Sequence, residues 1–225
     1  MLVIAAQRFI SITREITPNP NSIKFFPGKD IINSGTVIFN TVEDAKTSPL
    51  AKSLLEIKGV KSILYGKNWI TVSKFEEYKW NLLEKKIEDT IKEFYSSGIS
   101  VFVGSLPNEE TPVDQLDNET ILLIKEILDH KIRPFLQEDG GDVTFVDFKK
   151  GVLYLKLEGA CGDCPSSTVT LKDGIENMFT FYVPEVKRVE QVKEKYEEVG
   201  LETFQNMEEM LKRKAVDTHE NNTSS

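Results

Sequence analysis

The residues best equipped for chemistry are Cys161 and Cys164, the two cysteines of the chain, in the stretch KLEGACGDCPSSTV. A Cys-x-x-Cys that leaves a strand and enters a helix can bring both sulfurs to one side. Gly159 and Gly162 let the backbone turn tightly and approach a bulky ligand. Pro165 suits a first helical turn, because its missing N–H would have been unpaired there. The N–H groups of Ser167 and Thr168, with the hydroxyls of Ser166 and Ser167, can hydrogen-bond a thiolate or sulfide. A helix N-terminus favours negative charge by about 0.3–1 kcal/mol when exposed.

Three chemistries compete for this pair. Cysteine is often a small buried hydrophobe, but a loop rich in glycine, proline and serine beside Asp163 is poor packing material. Thiol–disulfide exchange suits the spacing, and a helix N-terminus lowers a thiol pKa. Against it, Ala160 stands where an aromatic residue is usual, and Glu158 and Asp163 disfavour a thiolate. Metal or cluster ligation needs about four ligands. His219 lies in a polar tail, and His130 lies within a helix beside Asp129, in the manner of a surface or structural histidine. The missing ligands are most simply supplied by a second copy of the chain across a two-fold axis. Four thiolates suit a [4Fe–4S] or [2Fe–2S] cluster, or zinc. A site at such a seam is open to incoming cysteines of another protein, which suits a carrier.

The elements that must position these thiols can be read from pattern. SIKFF (22–26) and TVIF (36–39) read as strands. SPLAKSLLEI reads as a helix with Ser48 as N-cap and Pro49 at its first position. VKSILYGKNWITVS reads as a hairpin. Trp80, Leu83, Ile87, Ile91 and Phe94 recur at helical spacing, and Gly98 stands where a glycine cap belongs. In the second half, Ile121, Ile124, Leu128, Ile132 and Phe135 form another stripe, which Pro134 should end or kink. DVTFVDF and VLYLKLE flank KKG as a second hairpin, with Leu153, Leu155 and Leu157 on one face. A helix with Leu171, Ile175 and Met178 on one face follows the cysteine loop, and EVKRVEQV reads as the last strand.

These elements define an α+β fold: two small α/β-type sandwich domains joined by an acidic flexible linker. The expected boundaries are a candidate targeting segment at 1–16, a first domain at 17–98, the linker at 99–118, a second domain at 119–192 and a polar tail at 193–225. In that tail, Phe204, Met207 and Leu211 outline a short amphipathic helix. The opening stretch MLVIAAQRFISITR contains Arg8 and Arg14 and no acid until Glu15, a loose fit to a mitochondrial presequence. Its plainer reading is an ordinary first strand.

Composition narrows the function. The 225 residues have a formal net charge of −8, which argues against a broad nucleic-acid surface. No apolar run approaches the roughly 18–20 residues that span a bilayer. DNET and EDGGD lack the spacing of a calcium loop, and no acid, base or nucleophile finds a sensible partner, so the chain does not read as an enzyme.

IRPFLQEDGGDVTF followed by LEGACGDCPSSTVTLKDGIENM closely resembles the NifU-like C-terminal domain of Nfu-type iron–sulfur scaffold proteins. TPNPNSIKFFPG, with SPLAKSLLEIKGVKSILYGKNWITV, resembles the N-terminal domain of their mitochondrial and some bacterial members. The resemblance covers most of 17–192. It implies that Cys161 and Cys164 ligate a [4Fe–4S] cluster shared between protomers of a homodimer or higher oligomer. It further implies loading by upstream assembly proteins, delivery to acceptor apoproteins such as lipoyl synthase and respiratory-chain proteins, and a place in the mitochondrial matrix. A thiol oxidoreductase and a zinc-stabilised interaction module remain the alternatives.

Overall fold

Short β-branched and aromatic runs separated by turn residues build the first half as a five-stranded sheet. In the computed structural model, which describes residues 11–103, 119–164 and 172–192, these strands are β1 (Thr13–Ile16), β2 (Ser22–Phe26), β3 (Val37–Phe39), β4 (Val60–Tyr65) and β5 (Ile70–Lys74). The sheet order is β1-β2-β5-β4-β3, antiparallel throughout. Residues 13–16, assigned from the sequence to the stretch before the first domain, form its edge strand, with Ile16 opposite Ile23.

Helices α1 (Pro49–Leu55) and α2 (Trp80–Ser97) complete this domain. Ser48 caps α1 as expected, accepting from the Ala51 N–H at 3.3 Å, and Gly98 ends α2 at φ 71°. Leu83, Ile87, Ile91 and Phe94 of α2 join Ile23, Phe25, Ile63, Tyr65, Ile70 and Val72 in one core. Val101 and Phe102 also pack on this core. Residues 104–118, the rest of the expected linker, lie outside the described residues, as do 1–10 and 193–225.

The alternation of β2, β4 and β5 gives the sheet a second face, carrying Lys24, Leu64 and Thr71. It is buried as well. The second domain covers it.

That domain has three strands, β6 (Gly141–Lys149), β7 (Val152–Gly159) and β8 (Arg188–Gln191), in that order. β6 and β7 form the expected hairpin, and Lys150 and Gly151 turn it with φ of 53° and 80°. β8 runs parallel to β7, which requires a crossover, here through α5 (Lys172–Tyr182). Leu153, Leu155 and Leu157 share one buried face with Ile175 and Phe179. Met178 packs against that core, whereas Leu171 lies outside the described residues.

One expected stripe is corrected. α3 (Glu119–Ile127) passes into a π-helical turn, Leu128–Ile132, before α4 (Arg133–Glu138). Pro134 has no N–H to give to the preceding turn, and the wider turn accommodates it. The extra residue rotates the following face. Leu136 is therefore buried and Phe135 is 65% exposed.

Candidate functional site

The site is the loop that leaves β7 at Gly159. Tight local bonds shape it: the Cys161 N–H donates to the Glu158 carbonyl at 3.2 Å and the Gly162 N–H to the Gly159 carbonyl at 3.3 Å. The Ala160 N–H reaches the Gly140 carbonyl at 3.1 Å, and Gln191 of β8 donates to the Gly162 carbonyl at 3.2 Å. The loop thus hangs between the start of β6 and the end of β8.

Both thiols lie inward. Cys161 is 4% exposed and Cys164 3%, and neither is in a disulfide. The expectation that this loop packs poorly is overturned, because Cys161 joins the core of the second domain. Glycine makes room for it: a Cβ on Gly141 would collide with Cys161 Sγ. Burial, followed by the charge of Asp139 and the proximity of Cys164 and Asp142, pushes the Cys161 thiol up to about 12. The acids acting on it are therefore not Glu158 and Asp163. Those two pair with lysines, Glu158 with Lys156 at 3.2 Å and Asp163 with Lys61 at 2.6 Å.

Asp142 is the buried charge beside the site, 1% exposed. Arg133 donates to its Oδ1 at 2.7 Å, the Val143 N–H at 2.6 Å, and Gln137 to its Oδ2 at 3.4 Å. Thr36 of the first domain also donates to Oδ2. The acid-rich EDGGD stretch is a turn, as read from the sequence, but its last residue is a fully engaged structural carboxylate.

The first domain reaches the loop at further points. Thr17 Oγ1 accepts from the Asn19 N–H at 3.2 Å, and Asn19 Oδ1 accepts from the Asn21 N–H at 2.9 Å. The turn so formed aims the Asn19 amide at the Ala160 carbonyl, 2.9 Å away. Lys24 donates to the Gln137 and Glu138 carbonyls, each at 3.1 Å, at the C-terminal end of α4, where a cation is favoured. Burial pulls the Lys24 pKa down, opposed by Glu15, Asp139 and Glu138.

The structure thus places Cys161 and Cys164 on one loop. Pro165, Ser166, Ser167 and Thr168 lie outside the described residues, as does His219. His130 is exposed, with Nδ1 3.1 Å from the Glu126 carbonyl. Among the described residues, no group of three or more His, Cys, Asp or Glu side chains is placed to hold a metal ion. No helix among them is long and apolar enough to cross a membrane. Sequence reasoning missed Asn19, Lys61, Arg133 and Asp142. The visible signal was the double glycine, Gly140-Gly141, which marks close approach on both sides.

A domain that offers two soft donors on a loop between a β-hairpin and a crossover helix has counterparts among known proteins. The NifU-like domain model matches residues 124–190, and the model for the N-terminal domain of the Nfu/NifU scaffold proteins matches residues 12–98. The "NFU1 iron-sulfur cluster scaffold homolog, mitochondrial" of Drosophila grimshawi is 43% identical over 90% of this chain and 68% of its own length. That of Drosophila erecta is 42% identical over 94% of this chain and 75% of its own. The solution structure of a NifU-like protein from Saccharomyces cerevisiae aligns at 24% identity and a TM-score of 0.41, covering 47% of this chain and 94% of that one. The chain belongs to the Nfu family of iron–sulfur cluster scaffold proteins.

Proposed function

We propose that this protein carries an iron–sulfur cluster as cargo, held by Cys161 and Cys164 of two protomers, and passes it to acceptor apoproteins. The observation that carries the reading is the half-complete donor set: two soft ligands on one loop, with no third His, Cys, Asp or Glu beside them among the described residues. Four thiolates from two chains fit a [4Fe–4S] cluster, with [2Fe–2S] as the smaller choice. The donor chemistry is sound, since soft thiolates select such clusters. Loading must remove the protons that burial retains, so uptake releases protons and is favoured by alkaline conditions. Ligand exchange with an acceptor's cysteines completes a transfer without any bond being made or broken in an organic substrate. The role is that of a carrier rather than an enzyme. The names of the relatives support a mitochondrial location, and the carrier reading places the protein in the matrix, where upstream assembly proteins would load the cluster. The resemblance implies lipoyl synthase and respiratory-chain proteins as acceptors.

Anaerobic reconstitution, followed by iron and acid-labile sulfide analysis with native mass measurement, tests this. The expected result is a dimer with one cluster per two chains. Cys161→Ser and Cys164→Ser should each abolish cluster binding while leaving the far-ultraviolet circular dichroism unchanged. A fully loaded monomer with no added thiol overturns the shared site. Mixed disulfides trapped by the single-cysteine variants would indicate thiol exchange instead, and tightly held zinc in the protein as isolated would indicate an interaction module.

A further inference from the structure

The second face of the first domain's sheet is not a solvent face. It is fitted to the second domain at the base of the cysteine loop. Two glycines show the fit from the other side. Gly159, at φ 60°, lies where a Cβ would come 2.5 Å from Leu64 Cδ2. Gly140, at φ 79°, lies where one would come 2.8 Å from Lys24 Cγ and from Thr71 Oγ1. Both bare backbones admit side chains of the first domain.

The polar contacts fall at the points that would have to move. Asn19 holds the carbonyl of Ala160, the residue before Cys161, at 2.9 Å. Lys61 holds the carboxylate of Asp163, the residue before Cys164, at 2.6 Å. Each tether immediately precedes a thiol, and both thiols are almost wholly buried in the single chain. Thiolates that meet those of a second protomer around a shared cluster must reach the surface.

We infer that the first domain is an intramolecular clamp on the cysteine loop, and that the clamp must release before two protomers can share a cluster. This rests on the carrier reading for its purpose, but the clamp itself is a property of the apoprotein. The Lys61–Asp163 pair is the latch best suited to control. Its side chains are 32% and 52% exposed, so it is weak on its own. A competing acidic surface on an acceptor or a loading protein could take Lys61 and free the loop. The buried contacts of Leu64 and Lys24 keep the domains associated when the latch is shut.

The test uses the reduced, full-length apoprotein and measures the rate at which iodoacetamide alkylates the two thiols, resolved by peptide mass. Lys61→Glu places like charges at the latch and should speed alkylation by about threefold or more, the scale of a partly exposed ion pair. The double variant Lys61→Glu with Asp163→Lys restores the pair in reverse and should return the rate to that of the unaltered chain. A merely electrostatic influence predicts the opposite for Lys61→Glu, because a new negative charge near the thiols disfavours thiolate and slows alkylation. Slowing, or no change, overturns the clamp. Asn19→Ala, which carries no charge change, should also speed alkylation; an unchanged rate in a variant with unaltered circular dichroism counts against the clamp. Cluster loading is scored separately. Faster alkylation in variants that take up no cluster supports the clamp and overturns the carrier reading. Unchanged alkylation with one cluster per two chains overturns the clamp and supports the carrier.

Discussion

Cys161 sets the chemistry of the apoprotein through where it sits. Its thiol is lifted from an ordinary value of 9.0 to about 12, chiefly by burial, so folding keeps a proton that the unfolded chain has lost at intermediate pH. The sign follows from linkage. Below about pH 9 both states hold the proton and the full stability is present. As pH rises toward about 12 the unfolded state binds fewer protons, and stability falls. The ceiling of this effect is about 1.4 kcal/mol per pH unit. Urea midpoints taken at pH 7, 9 and 10.5 should fall more steeply for the unaltered apoprotein than for Cys161→Ser. Parallel pH dependences would show that the thiol is not held neutral. The two cysteines were legible as the site because they are the only thiols in the chain, spaced two residues apart in a glycine-rich loop. Their burial was not, because glycine and serine around them read as loop while the packing atoms come from residues distant in sequence.

At the level of elements, the start of β6 and the end of β7 form the floor of the site. The absence of a side chain at Gly141 is what lets Cys161 tuck against that floor. Gly141→Ala should cost about 1–3 kcal/mol of stability through overpacking, and should displace the loop enough to accelerate thiol alkylation. Thermal denaturation with alkylation kinetics checks both, and an unchanged melting temperature would contradict the close fit. The hairpins, the α2 stripe and its glycine cap were readable from period and turn chemistry alone. The face of α4 was not. A period of 3.6 extrapolated through Pro134 assigns Phe135 to the core, but the π-helical turn adds a residue and the register moves on to Leu136.

On the scale of the whole molecule, each domain owns a core, and the seam between them is held by Lys24, Leu64, Asn19 and Thr36. Lys24 is the pivotal contact, since it closes the carbonyl end of α4 from the other domain. Lys24→Met should uncouple the two cores. Calorimetry is expected to show one endotherm for the unaltered apoprotein and two for the variant; superimposable traces would mean that the seam carries no cooperativity. This partnership was hidden in the sequence because a strand covered on one face by helices and on the other by a polar seam has the same alternation as a strand facing water. Lys24 in SIKFF reads as solvent-facing and is buried.

β1 has one more consequence. Its four residues are all exposed, with Arg14 and Glu15 on the outermost ladder of the sheet. Next to it lies β2, with Ile23, Phe25 and Phe26, whose outward backbone donors and acceptors β1 occupies. A chain trimmed to Thr17 would lose that cover and present SIKFF as a bare, sticky rim on which other chains could add strands. The charged hem at 13–16 therefore guards the folded protein against self-association.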